Sequence, residues 1–169
     1  MSDSSTVPED LAPPVSLPAA PRLRFLHAFC NDVPAMRDFY ADRLGLPLLN
    51  EMDEAAYGWL VFDVGGGLQL MFHRWDDGPL PEPAGWAWQP GDGQGDLPVP
   101  SQGLHVPEAA FAATVERLRA AGDPVLSPVP TWRQDSYWGW TVRDPSGNML
   151  EIYTSPAERP AGDPPTWPS

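Results

Sequence analysis

Apolar and polar positions alternate in short runs, and the runs recur in the same order twice along the 169 residues. In RLRFLHAFCNDV, residues 22–33, the side chains of Phe25, His27 and Phe29 fall on one face of a predicted strand, because successive strand residues point to opposite sides. Asp32 then stands as an N-cap, with Pro34 in the first turn of a helix. Along that helix Met36, Phe39, Tyr40 and Leu44 recur at helical spacing, and Gly45 ends it. Strands follow in YGWLVFDV and, beyond a glycine turn, in LQLMFH. The second copy opens with SQGLHV, and Pro107 and Glu108 start a helix. Phe111, Val115 and Leu118 share a face of it, and Gly122 closes it. YWGWTVRD, the turn PSGN and MLEIYT complete the copy, with Asp144, Gly147 and Asn148 explained as turn residues.

Two runs of strand–helix–strand–strand–strand form an internal repeat. FLHAF parallels GLHVP, and YGWLVFD parallels YWGWTVRD. This alignment sets Gln69 opposite Glu151, Trp59 opposite Trp140 and Tyr57 opposite Trp138. Each module has a sheet too small to stand alone, so the pair is expected to associate around a cavity. The expected fold is α+β, two βαβββ modules forming one curved-sheet domain over residues 22–154. Module one takes 22–75, a connector 76–98 and module two 99–154. The proline-rich ends, 1–21 and 155–169, are expected as a disordered arm and tail. The connector is rich in proline and glycine yet holds Trp86 and Trp88, which either anchor it on the domain or cover a ligand.

Charge narrows the partners. Ten basic against 23 acidic residues give a formal charge of −13, and all ten basic residues are arginine. Without lysine there is no lysine Schiff-base chemistry. Nucleic acid and anionic membranes are poor partners for such a surface, whereas a cationic ligand is favoured. No apolar run is long enough to span a bilayer. The first 21 residues carry neither lysine nor arginine nor a long apolar run, which argues against a secretory signal. The single cysteine, Cys30, forms no intrachain disulfide and sits in an apolar strand as an inert thiol. A cytoplasmic location is the expectation.

The pattern resembles the vicinal oxygen chelate superfamily, which includes glyoxalase I, ring-cleaving dioxygenases, fosfomycin-resistance enzymes and bleomycin-resistance proteins. DVPAMRDFYADRLGL in the first module and VERLRAAG followed by WGWTVRDPSGNMLEIY in the second carry the resemblance. In metal-dependent members it implies a His or Gln early in each module and a carboxylate in the last strand. Glu151 stands at the second carboxylate position and Gln69 at the first. The histidine positions, counted from Asp32 and the Phe39-Tyr40 pair, fall on Phe25 and near Ser101 or Gly103. His27 and His105 therefore sit two or more residues late, on the same faces but at another depth.

Two readings follow. In the first, the protein is a metal-free binder of a small planar or cationic organic molecule, similar to bleomycin-resistance proteins. Its candidate ligand-binding residues are Phe25, His27, Trp59, Gln69, Met71, His105, Trp132, Trp138, Trp140, Glu151 and Tyr153. Tryptophans would stack a flat ligand, and no catalytic residue or cofactor is assigned. In the second, His27, Gln69, His105 and Glu151 hold a divalent metal such as Zn, Mn, Fe or Ni in a lyase, isomerase or dioxygenase. The resemblance also implies a homodimer. His73, beside Arg74 and Asp76, reads as a surface residue.

Overall fold

Period-two patterning builds two four-stranded sheets in the computed structural model, which describes residues 23–81, 85–89, 92–93 and 101–168. The first comprises β1 (Phe25–Cys30), β2 (Leu48–Glu54), β3 (Tyr57–Asp63) and β4 (Gln69–Arg74), in the order β1-β4-β3-β2. The second comprises β7 (Ser101–His105), β8 (Thr131–Arg133), β9 (Tyr137–Arg143) and β10 (Met149–Thr154), in the order β7-β10-β9-β8. In each, the first strand runs parallel to the last and the others are antiparallel. The α+β architecture of two βαβββ modules is therefore present. A small hairpin in the connector, β5 (Ala87–Gln89) and β6 (Asp92–Gly93), was not expected.

Local chemistry sets the helix ends. The Asp32 carboxylate accepts the Ala35 N–H at 2.9 Å, and α1 (Val33–Arg37) follows with Pro34 in its first turn. The helix then widens into a π-helical stretch, Asp38–Arg43, in which the Leu44 N–H reaches the Phe39 carbonyl five residues back. In module two, α2 (Glu108–Ala121) ends on Gly122 at φ +75°, a left-handed conformation that suits glycine.

Both helices pack on one side of the sheets and share one core. Phe39, Tyr40, Phe62 and Phe72 from module one meet Phe111, Leu118, Trp140 and Ile152 from module two. Polar links join the modules as well. Buried Tyr40 donates its hydroxyl to Asp144 at 2.9 Å, Arg43 pairs with Asp123, and Arg117 donates to the Arg43 carbonyl at 2.8 Å. Cys30 is fully buried, and burial, followed by the charge of Asp144, pushes its thiol up to about 11, which keeps it protonated and inert. No helix among the described residues is long and apolar enough to cross a membrane.

The expected disordered tail is a correction. Residues 155–168 fold back along module two, and the Trp167 ring packs edge-on against Trp138 at 5.1 Å and Phe111 at 5.4 Å. Ala157 donates its N–H to Glu108, and Arg159 pairs with Asp135. Proline-rich composition suggested disorder, but one large aromatic ring tethers the segment. Trp167→Ala is expected to cost about 2–3 kcal/mol in chemical unfolding, below a fully buried tryptophan because Trp167 stays partly exposed. The expected arm, residues 1–21, the connector stretches 82–84, 90–91 and 94–100, and Ser169 lie outside the described residues.

Candidate functional site

Strand parity divides each sheet into a helix side and a far side. On the helix side lie Leu60 and Phe62 of β3, Leu70 and Phe72 of β4, Trp138 and Trp140 of β9, and Leu150 and Ile152 of β10. The far side takes the alternate residues: Phe25, His27, Phe29, Tyr57, Trp59, Gln69, Met71 and His73 in module one. In module two these are Arg133, Tyr137, Gly139, Thr141, Glu151 and Tyr153. Trp138 and Trp140, expected beside Glu151, thus lie across the sheet from it, with Trp140 fully buried in the core. Trp132 belongs to β8 and packs edge-on against Trp138 at 5.2 Å, also away from Glu151.

Pairing register corrects the alignment of the repeats. Asp63 pairs with Gln69 across one hairpin, and Arg143 with Met149 across the other. Gln69 therefore corresponds to Met149, Met71 to Glu151, and Trp59 to Gly139 rather than Trp140. In the parallel pairs Phe25 faces Gln69, while Ser101 faces Met149. His27 corresponds to Gly103 and Phe29 to His105, so the two histidines are not symmetry equivalents. The turn glycines Gly67 and Gly147, both at positive φ, mark the same register.

Glu151 is 2% exposed, and its carboxylate meets an internal cation. Arg133 Nη1 lies 2.5 Å from Oε1, and the Tyr137 hydroxyl donates to the same oxygen at 3.1 Å. Arg133 also donates to Thr141 Oγ1 at 3.2 Å and to Thr131 Oγ1 at 3.0 Å. Thr141 in turn donates a hydrogen bond from its hydroxyl to the Trp88 carbonyl at 2.9 Å. Gly139 leaves the room for this pair: a Cβ there would sit 2.5 Å from Glu151 Oε1 and 2.7 Å from Arg133 Cδ. Burial raises the Glu151 carboxyl above its usual range, and the Arg133 charge and hydrogen bond pull the other way. The Tyr137 phenol is pushed up to about 12 by burial and then by the Glu151 charge.

The connector closes this side of module two. Ala87 is fully buried and its N–H approaches Met149 Sδ at 3.2 Å. The Trp88 ring lies over the Arg133 guanidinium at 4.8 Å, and the Trp86 ring over Arg143 at 4.2 Å. Arg143 also donates to the Gly85 carbonyl at 2.7 Å. Of the two roles open to these tryptophans, anchoring the connector on the domain is the one their contacts serve.

Module one's far side has a different character. Phe25, Phe29 and Tyr57 are about half exposed, at 46%, 53% and 48%. His27 and His73 stack with ring centres 5.9 Å apart, and His73 Nδ1 lies 3.2 Å from the Tyr57 hydroxyl. Trp59 pairs with His73, and Val61 with Met71. His73, read from sequence as a surface residue, belongs to this aromatic face. His105 lies instead beside Tyr153, with ring centres 5.4 Å apart.

The family is now identifiable. Two paired βαβββ modules with these crossover orders define a protein of the vicinal oxygen chelate type. A family model described as Glyoxalase/Bleomycin resistance protein/Dioxygenase superfamily matches residues 22–152, and the chain belongs to that superfamily. Among solved structures it is similar to the fosfomycin resistance protein FosX from Listeria monocytogenes, with 13% identity and a TM-score of 0.57. That match covers 83% of this chain and 98% of FosX. A glyoxalase/dioxygenase from Nostoc punctiforme is similar at 18% identity and TM-score 0.56, covering 84% of this chain and 99% of that one. A glyoxalase/bleomycin resistance protein/dioxygenase from Nocardioides shows 20% identity and TM-score 0.54, with 88% and 92% covered. A search of the curated proteins gives no match.

One FosX structure is a complex with Mn(II) and 1S,2S-dihydroxypropylphosphonic acid, at 10% identity and TM-score 0.57, covering 82% of this chain and 96% of that one. The candidate set here does not fit such an ion. Glu151 already carries Arg133 at 2.5 Å, where a divalent cation would face a like charge. Gly103, its neighbour on β7, offers no side chain, and His105 is one pair further along, beside Tyr153. Among the described residues no group of three or more His, Cys, Asp or Glu side chains is placed to hold a metal. No sequence signal named Arg133 as the partner, although a buried lone acid demanded one. The Thr-Trp-Arg run, read as a strand, would have put Arg133 and Thr131 on one face.

Proposed function

We propose that the chain is a metal-free binding protein that sequesters a flat, uncharged or cationic organic molecule on the far side of module one. This is a bleomycin-resistance-like role. The observation that supports it is the contrast between the two modules. In module two the corresponding face is filled by Arg133, Glu151 and the Trp88 strap, whereas in module one Phe25, Tyr57 and Phe29 stay about half exposed. An aromatic face of this kind stacks planar rings. The formal charge of −13 favours a cation over an anion in the approach.

The test is a titration of the full chain with the planar cation proflavine, followed by quenching of tryptophan fluorescence. Saturable quenching is expected, with Trp59→Ala weakening the affinity about tenfold. Quenching that does not saturate, or that Trp59→Ala leaves unchanged, sinks the reading. A bound divalent ion at one per chain, lost on Glu151→Gln, would replace it with a metal-dependent enzyme. The active form is proposed to be a homodimer. Sedimentation equilibrium decides this, and a dimer interface that covers Phe25 and Phe29 would overturn binding at this face.

A further inference from the structure

The seam between the modules holds a cavity of about 370 Å³, lined mainly by helix-side residues together with Gly103, His105 and Tyr153 from the far side of module two. Its walls are aliphatic: Leu26 and Leu70 from module one, Leu104 and Leu150 from module two, and Val64 and Leu68 from the turn between β3 and β4. Leu26, Leu70, Leu104 and Leu150 are helix-side residues, and neither the far-side aromatic residues of module one nor Arg133 and Glu151 line the cavity. Its volume falls within the range of about 300–1,000 Å³ in which small ligands are held.

The polar or aromatic part of the lining is Gln102, Gly103, His105 and Tyr153 of module two, with Tyr40 of module one. β7 is the edge strand of its sheet. The Val106 N–H bonds the Tyr153 carbonyl of β10, so residues 102, 104 and 106 turn their main-chain groups toward β10. Gly103 and His105 turn theirs the other way, toward the seam, and both line the cavity. Gln102 adds a side-chain amide. Tyr40 also lines it, but its hydroxyl is committed to Asp144. No aspartate, glutamate or arginine stands among the described lining residues, in a chain with 33 such residues of 169.

The geometry points to a second binding site here, for an uncharged, mainly aliphatic molecule bearing a carbonyl or amide head. The aliphatic walls would bury its tail. Its head would meet the outward main-chain groups of Gly103 and His105 and the Gln102 amide, which together offer donors and acceptors. A charged head would be desolvated against walls that hold no aspartate, glutamate or arginine among the described residues. The aromatic ligand of module one and this molecule therefore differ in shape, charge and place, and this site stands or falls independently of the function proposed above.

The experiment is isothermal titration of the full chain with N-methyloctanamide. One saturable site per chain is expected, with octanoate binding at least about tenfold more weakly. Leu26→Trp and Leu68→Phe each push bulk into the cavity and are expected to weaken the amide about tenfold. Leu68 lies in a turn and is partly exposed, so Leu68→Phe keeps the test usable if Leu26→Trp disturbs the fold. Proflavine, the probe for the aromatic face, is expected not to compete. No saturable amide binding, amide binding untouched by both substitutions, equal binding of octanoate, or competition by proflavine would each overturn the assignment.

Discussion

Arg133→Met will destabilise the fold by about 3–5 kcal/mol at neutral pH, because it strands the Glu151 carboxylate without its cation. Methionine keeps most of the arginine stem's volume, so little of the loss comes from packing. Tyr137 and Thr141 remain nearby, but neither brings a charge. The sign of the pH dependence follows from linkage. Burial already raises the folded-state pKa of Glu151, and the charge of Arg133 is the main influence opposing that rise. Without Arg133 the folded pKa rises further. A raised carboxyl pKa means the folded state holds its proton more tightly, so the stability of the variant is present at low pH and lost as pH climbs through the raised value. The penalty of Arg133→Met relative to the parent chain will therefore shrink between about pH 7.5 and about pH 5. Urea unfolding followed by far-ultraviolet circular dichroism measures it. A penalty that is constant over that range would show that the guanidinium acts by packing and not by charge.

The pair is also replaceable. Arg133 Nη2 is buried with no hydrogen-bond partner among the described residues, so the network is incompletely satisfied even in the parent chain. Arg133→Met combined with Glu151→Leu will recover at least half of the single-variant loss, since two apolar groups leave no buried charge behind. Recovery on that scale would assign Arg133 and Glu151 to specificity of strand placement more than to net stability. Thr131 on β8, Thr141 on β9 and Glu151 on β10 all converge on one guanidinium, and a slip of any strand by one residue would break the set.

The repeat was legible because hydrophobic periodicity and capping are local. Asp32, Pro34, Gly45 and Gly122 punctuate helices where the chain needs them, and both hairpin turns span the same number of residues. The site was less legible because it depends on register. Matching YGWLVFD to YWGWTVRD by their tryptophans shifts the repeats by one residue, and one residue moves a side chain to the other face. That shift put Trp140 beside Glu151 on paper and in the core in three dimensions. Counting from Gly67 and Gly147 removes it, since both are turn glycines at positive φ. Arg133 escaped notice for another reason. Its distance of 18 residues from Glu151 is bridged only by the β8–β9–β10 pairing, which no local pattern encodes.

Asp144→Ala will be the second large loss, about 3–4 kcal/mol, although sequence alone gives Asp144 only a turn-forming role. One carboxylate oxygen accepts the N–H groups of Ser146 and Asn148, each at 2.9 Å, and fixes the β9–β10 turn. The other accepts from the Asn148 side chain at 2.8 Å and from Tyr40 at 2.9 Å. Burial raises the Asp144 carboxyl above its usual range, and these donors oppose the rise. The turn N–H groups are only partly buried, so water can replace the carboxylate there at modest cost. Tyr40 is different. It is 1% exposed, and its hydroxyl loses its acceptor once Asp144 is gone. Tyr40→Phe alone will cost about 1–2 kcal/mol, because it removes the donor and leaves the carboxylate its three other bonds. In the double variant the stranded hydroxyl no longer exists, so the combined loss will fall short of the sum by about 1 kcal/mol or more. Tyr40 belongs to module one and Asp144 to module two, so this coupling measures the energetic link between the repeats. Strictly additive losses would show that the Tyr40–Asp144 bond does not couple the modules, leaving the link to the shared apolar core and the Arg43–Asp123 and Arg117–Arg43 contacts.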